Sequence, residues 1–269
     1  MTHTGDGRLE HDGVTDVWRV GATVRRQPRP STATVHAFLR HLRRSGIDFV
    51  PEPLGYDSQG REVLSFVEGE VPDEPLPDAA WSEEVLAALG ALVRRLHDAA
   101  EGWEPPPGAT WGSIPGQDGV DVPALFDHPD LVAHQDYCPG NVVFRRGLPA
   151  ALIDFDLARP TSRVADCVNA MYWWVPLIDP DDRRPAARDL DAGRRLRVFA
   201  DAYGMSPAQR SEVVAVAVQR ARNTTVTMAA AAAADPVFAR WWHGGLGERT
   251  ARAVVWITGA APRLGTALA

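Results

Sequence analysis

The hydrophobic period of this chain changes once, near residue 70, and that change restricts the fold more than any other feature. Before it, apolar residues come in short runs broken by turns. Residues 14–28 (VTDVWRVGATVRRQP) read as two β segments turning at Gly21. Pro28 and Pro30 end the run, and Ser31 is placed to cap a helix reaching about Ser45, with Val35, Phe38, Leu39 and Leu42 on one face. Residues 51–56 and 62–67 then form strands around the turn Asp57-Ser58-Gln59-Gly60. After a proline- and acid-rich linker at 71–78 the period becomes helical. Val85, Leu86, Leu89, Leu92, Val93 and Leu96 share a face of a helix over 82–101. A loop follows at 102–119. A hairpin comes next, with arms 142–144 and 151–155 joined through 145–149. Helical patterning then runs from Arg163 onward, with breaks near 176–185, 204–207 and 244–247. Strands around one helix, then a run of helices, predict an α+β chain: a small antiparallel-sheet lobe at 1–70 and a mainly helical lobe at 71–269.

Composition narrows the chemistry. The chain has 269 residues and no lysine, so all 28 basic residues are arginines. A lysine Schiff base, a pyridoxal-phosphate anchor and a Walker A loop are excluded. The formal charge is −7, distributed as −1 over residues 1–70, −10 over 71–160 and +4 over 161–269. That balance argues against broad contact with a nucleic-acid backbone, which needs a clustered basic face. An acidic middle third can attract a cationic small molecule. Cys138 and Cys167 are too few for a disulfide framework or a Cys₄ zinc site. No apolar run reaches the length of a membrane span, and the first seven residues lack the apolar core of a secretory signal. A cytoplasmic enzyme, monomer or homodimer, is expected.

The chemistry concentrates in His134-Gln135-Asp136-Tyr137-Cys138-Pro139-Gly140-Asn141 and, 13 residues beyond Asn141, in Ile153-Asp154-Phe155-Asp156. Neighbouring apolar residues place both segments at strand ends and tight loops, where side chains can converge. Asp136, Asn141 and Asp154 then bring three hard oxygen donors together. Asn141 and Asp154 suit a Mg²⁺-nucleotide, leaving Asp136 to orient or deprotonate a hydroxyl.

H-x-D-x-x-x-x-N, a hairpin, then I-D-F-D resembles the aminoglycoside phosphotransferase and choline kinase family, which has the bilobal protein-kinase-like fold. Residues 17–26 are similar to its first strand pair, 64–69 to its hinge, 92–97 to its first large-lobe helix and 163–166 to the segment after its metal aspartate. The resemblance implies that Asp136 is the catalytic base and that Asn141 and Asp154 hold Mg²⁺. It also implies that the backbone from Ser65 to Val67 meets the base of ATP or GTP and that the region around Gly13 covers the phosphates. His134 would fix the loop, and Asp156 would be a further metal ligand or a turn cap. The acceptor would be a hydroxyl on a small molecule, aminoglycoside-like or otherwise amine-bearing, seated among the helices of 173–256. Asp166, Asp179, Asp181, Asp182 and Glu212 are the acids available to it. Tyr172, Trp173, Trp174, Trp241, Trp242 and Trp256 are the aromatics. Asp166 is expected to brace the catalytic loop instead.

The chain departs from the family at the phosphate lysine, at that lysine's helix glutamate, and in a short glycine-rich loop in which Gly13 is the only clear glycine. The phosphate lysine must be replaced by an arginine, and strand alternation favours Arg26 over Arg25. The helix position of its partner glutamate falls near 35–37, where His36 is the only polar residue. A carboxylate from elsewhere, or modest nucleotide affinity, is the expected consequence. Two other readings compete. The strand ending in Asp154-Phe155-Asp156 resembles the start of a haloacid-dehalogenase-type phosphatase, although it lies mid-chain without the usual lysine. A catalytically weak kinase-like binding or immunity protein is the other.

Overall fold

A computed structural model describes residues 7–9, 17–72 and 75–269. The first lobe is a five-stranded antiparallel sheet with order β1-β2-β3-β5-β4. Its strands are β1 (Gly7–Leu9), β2 (Val17–Val20), β3 (Thr23–Arg26), β4 (Pro53–Tyr56) and β5 (Glu62–Ser65). Helix α1 (Thr32–Arg44) buries Val35, Phe38, Leu39 and Leu42, the face expected from its periodicity. Its start differs from expectation. Ser31 adopts an α-region backbone and its side chain caps nothing. The chain enters the helix through a turn in which the Arg29 N–H donates to Thr32 Oγ1 and Thr32 N–H to the Arg29 carbonyl.

Register within the sheet decides what reaches the cleft. In the β3–β5 pair Arg26 lies directly opposite Glu62 and Arg25 opposite Val63. Successive side chains point to opposite faces, so the two arginines part company.

Gly69 makes the crossing between lobes possible. Its φ is +142°, and a Cβ there would lie 2.4 Å from Val143 Cγ1 and 2.6 Å from the Phe144 carbonyl oxygen. Beside it, Glu70 and Phe144 exchange backbone hydrogen bonds of 2.9 and 2.7 Å. The crossing is therefore stitched to the strand that follows the loop of residues 134–141.

In the second lobe Ser82 caps α2 (Glu83–Ala100) through the Val85 N–H. Val85, Leu86, Leu89, Leu92, Val93 and Leu96 are buried as one face, each such side chain contributing about 1.5–3 kcal/mol over exposure. Two strand pairs carry the loops of interest. Strand β6 (Leu131–Ala133) pairs with β9 (Arg159–Thr161), and β7 (Val142–Arg145) with β8 (Leu148–Leu152). The β7–β8 hairpin is tighter than predicted: Arg146 and Gly147, at φ +55° and +80°, form a two-residue turn of the kind that suits strand twist. Helices α3 (Arg163–Trp174), α4 (Ala192–Tyr203), α5 (Pro207–Ala234), α6 (Pro236–Trp241) and α7 (Gly247–Leu268) complete the lobe. No helix among the described residues is long and apolar enough to cross a membrane.

Candidate active site

The loop between β6 and β7 is organised by a buried carboxylate. Asp166, near the start of α3, accepts hydrogen bonds from His97 Nε2 (2.7 Å), Tyr137 Oη (2.5 Å), the Gln135 backbone N–H (2.9 Å) and Gln135 Nε2 (2.6 Å). Burial pushes its pKa up, but the bonds from His97, Tyr137 and Gln135 outweigh burial and hold it below the usual carboxylate range. Gln135 can then take a left-handed conformation, φ +65°. Trp174 Nε1 adds a 2.7 Å bond to the Tyr137 carbonyl. Asp166 thus braces the loop as expected, and Trp174 belongs to the core.

His134 links this loop to the next. Its Nε2 lies 2.9 Å from the Ile153 carbonyl, and its Nδ1 accepts from the Asp136 N–H at 3.2 Å. That pattern describes a neutral imidazole protonated on Nε2. Asn141 sits beside it. Its amide nitrogen donates to Asp136 Oδ2 (2.9 Å) and to the Asp136 carbonyl (3.1 Å), which leaves the amide oxygen as the group able to ligate a cation. The Ile153 N–H donates to the Asn141 carbonyl at 3.0 Å, so Asp154 follows directly on the same ladder. Asp154 is left-handed at φ +60°, an uncommon conformation for a non-glycine residue and one that clusters at functional sites. Burial, reinforced by the nearby Asp154 charge, raises the Asp136 pKa.

From the sheet, Arg26 reaches down to this ladder. Nε binds Glu62 Oε1 at 2.5 Å, Nη1 binds Asp154 Oδ1 at 3.0 Å, and Nη2 binds Asp156 Oδ1. Burial works against the guanidinium charge, but Asp156, Asp154 and Glu62 together hold its pKa above the arginine range. Arg29 Nε pairs with the other Asp156 oxygen at 2.8 Å. Asp156 is pushed up to about 6 by burial and by Asp154, with Arg26 and Arg29 offsetting part of this. The two loop acids therefore differ: the Asp154 side chain is 46 % exposed and that of Asp156 only 10 %. Asp156 is an arginine anchor, and Asp154 is the carboxylate open to the cleft.

Glu62 is the residue that sequence reasoning missed. His36, at the helix position expected to carry glutamate, donates through Nε2 to Glu62 Oε2 at 2.9 Å. The carboxylate paired with the arginine thus comes from β5, and the helix contributes the imidazole behind it. The sequence signal was available in the cross-strand register, since Glu62 is the first residue of the strand that faces Arg26. Arg25 does not join the group: its guanidinium lies 3.5 Å from Asp57, which Arg61 also binds. The Ser65 backbone N–H is committed to the Glu52 carbonyl at 2.9 Å, so Ser65 can meet a nucleotide base only through its own carbonyl. Val67 lies beyond β5 in the crossing segment. Gly13 lies outside the described residues.

The acids expected to await a cationic acceptor do not gather near Asp136. Asp179 caps a short turn through the Asp181 N–H, Asp182 is clamped by Arg252 at 2.5 Å, and Asp181 and Glu212 are exposed. Among the aromatics, Trp256 lies under the Arg183 guanidinium, and Trp173 and Trp241 reach solvent. An open groove of about 450 Å³ lined by Leu125, His128, Asp130 and Glu212 contains none of Asp136, Asn141, Asp154 and Arg26. Among the described residues no three His, Cys, Asp or Glu side chains converge as a metal cluster. A divalent ion here would rely on the Asn141 oxygen and Asp154, with phosphate oxygens completing the shell, a mode typical of Mg²⁺.

The model of the phosphotransferase enzyme family known as APH matches residues 9–119 and 117–201. The chain belongs to this family. The trifolitoxin immunity protein of Rhizobium leguminosarum bv. trifolii is 34 % identical over 237 residues, which span 87 % of this chain and 85 % of that protein. In solved structures, an amicoumacin kinase in complex with AMP-PNP, Ca²⁺ and Ami superposes with TM-score 0.64 at 14 % identity, over 97 % of this chain and 88 % of the other. A choline/ethanolamine kinase family protein from Mesorhizobium loti gives 0.55 at 18 % identity, over 94 % and 92 %. The protein-kinase-like bilobal fold is thereby established, and the phosphatase alternative falls with it.

Proposed function

We propose that this phosphotransferase-family chain moves the γ-phosphoryl group of Mg²⁺-ATP, or GTP, to a hydroxyl of a small molecule. The observation that carries the reading is the meeting of Asp136, Asn141, Asp154 and Arg26 on one ladder between the sheet and the helices. In the transfer, the acceptor oxygen forms a bond to the γ-phosphorus while the bond from that phosphorus to the bridging oxygen breaks, and the nucleoside diphosphate leaves. Asp136 takes the hydroxyl proton, its raised pKa bringing it closer to the acceptor's need. Asn141 and Asp154 would hold Mg²⁺, which supplies charge neutralisation on the phosphates. With Nε fixed by Glu62, the Nη groups of Arg26 are those able to turn toward phosphate oxygens, which a guanidinium can clamp in a bidentate way. We place the small lobe at residues 1–70 and the large lobe at 71–269, with the nucleotide base against the backbone of 65–67.

The immunity-protein relative supports a protective role, in which phosphorylation inactivates a toxic compound. The test is nucleotide consumption with a panel of hydroxylated compounds. Asp136→Ala is expected to abolish acceptor-dependent turnover with nucleotide binding kept, and wild-type rates in that variant would end the assignment. A second reading is a kinase-like immunity protein that binds without turnover. The replaced lysine and the displaced carboxylate favour it, and nucleotide binding with no acceptor-dependent consumption would support it.

A further inference from the structure

Arg220 of the large lobe pairs with no carboxylate among the described residues. It projects from the middle of α5, the helix packed on α3. Its guanidinium carbon lies 4.3 Å from the centre of the Tyr172 ring. Nη1 is sealed from solvent and has no hydrogen-bond partner among the described residues. Burial pushes its pKa down, and Tyr172 and then Asp136 restore only part. Tyr172 lies one helical turn beyond Asn169, whose amide nitrogen donates to the Gln135 carbonyl at 2.7 Å and whose oxygen accepts from the Tyr137 N–H at 3.5 Å. Arg220 therefore stands on the side of α3 that meets the loop carrying Asp136, yet it closes no ion pair with any described acid. Every other buried arginine of the site is paired: Arg26 has three carboxylates.

A buried donor left unmatched costs stability unless a ligand matches it, and this one lies on the helical side of the loop that carries Asp136. The group that meets Arg220 must accept hydrogen bonds and carry negative charge. A single guanidinium balances one unit of charge. A dianionic phosphate would leave excess negative charge beside Asp136 and Asp154, whereas a carboxylate would not. The +4 balance of residues 161–269 and the dispersal of their acids agree with an anionic acceptor. Tyr172 provides an aromatic wall alongside.

We propose that Arg220 is the anion-binding group of the acceptor site and that the acceptor is a hydroxyl compound carrying a carboxylate. This rests on the phosphotransferase reading, since it seats the acceptor at Asp136. The test uses N-acetylserine, N-acetylthreonine and 4-hydroxyphenylacetate, each as the free acid and as the primary amide, with kanamycin as the polycationic arm. Calorimetric titration of the full chain is expected to show the acids binding about tenfold or more tightly than their amides. Arg220→Gln should erase that ratio while leaving Mg²⁺-ATP affinity unchanged, and Arg220→Lys should keep part of it. Circular dichroism and the melting temperature confirm that both variants fold. Equal binding of acid and amide, preference for kanamycin, no acid binding at tens of millimolar, or an acid preference that survives Arg220→Gln would each overturn the proposal. Acid-selective binding without acceptor-dependent ATP consumption would instead sink the phosphotransferase reading and leave the anion subsite standing.

Discussion

At the scale of single residues, the central substitution is an arginine where kinases of this fold place lysine. Lysine is a compact point charge, but a guanidinium has a fork that can hold several partners at once. Arg26 uses it to bind Glu62, Asp154 and Asp156 together. The His36–Glu62–Arg26 chain therefore holds the cation that we propose meets the phosphates. Glu62→Gln keeps an acceptor but removes the charge, and we expect the KM for Mg²⁺-ATP to rise about tenfold with stability lowered by about 1–3 kcal/mol. Steady-state kinetics and denaturant melts check both, and an unchanged KM would remove Glu62 from the nucleotide site. Asp166 supports a pH prediction. Its folded-state pKa is depressed, so its contribution is complete above the unfolded value of about 3.9 and disappears as pH falls through the folded-state value. Asp166→Asn should cost about 3–5 kcal/mol near neutral pH, as expected for a broken buried charge network. Its stability should also change less on acidification below pH 4 than that of wild type. Parallel unfolding curves at pH 3 and pH 7 measure the difference.

At the scale of elements, α1 and α2 and the β7–β8 hairpin were legible in the sequence because each is a local matter of apolar period and turn residues. Val35, Phe38, Leu39 and Leu42 on α1 are buried as their spacing predicts. The start of α1 was not legible, because a serine before a helix and a serine capping a helix look alike until the backbone angles are known. The origin of the carboxylate paired with Arg26 was also hidden, since it depends on strand register: β3 opposes β5 so that residue 26 meets residue 62. The Arg220–Tyr172 contact, 48 residues apart, depends on how α5 lies on α3. The crossing between lobes yields a prediction. Gly69→Ala would push a Cβ into the Phe144 carbonyl at a backbone φ that side chains rarely adopt. It should cost about 1–3 kcal/mol and loosen the Glu70–Phe144 pair. Faster hydrogen exchange at those two amides is the measurement, and wild-type protection there would show that the crossing has slack.

At the scale of the whole molecule, the sheet and the helices contribute opposite charges to one cleft. Arg26 hangs from the sheet, and Asp136, Asn141 and Asp154 rise from the helical lobe. Before a nucleotide binds, the Arg26–Asp154 contact spans the two lobes and offsets part of the acid repulsion in the cleft. A metal-nucleotide must therefore compete with an existing ion pair as well as bring its own contacts. A ligand that binds only the folded state raises stability by RT ln(1 + [L]/Kd), about 2.7 kcal/mol at one hundred times Kd. Mg²⁺-ATP at that excess is expected to raise the melting temperature by about 5–10 °C for a chain of this size, and ATP with a chelator by distinctly less. Asp154→Asn removes both the cleft-facing carboxylate proposed to hold the metal and the charge that holds Arg26 Nη1. It should abolish the Mg²⁺-dependent part of the shift while keeping a metal-independent part, because the freed guanidinium can still meet phosphate. Differential scanning fluorimetry across the four combinations of protein and metal resolves the two parts. A full Mg²⁺-dependent shift in the Asp154→Asn protein would move the metal away from Asp154 and with it the line of transfer proposed above.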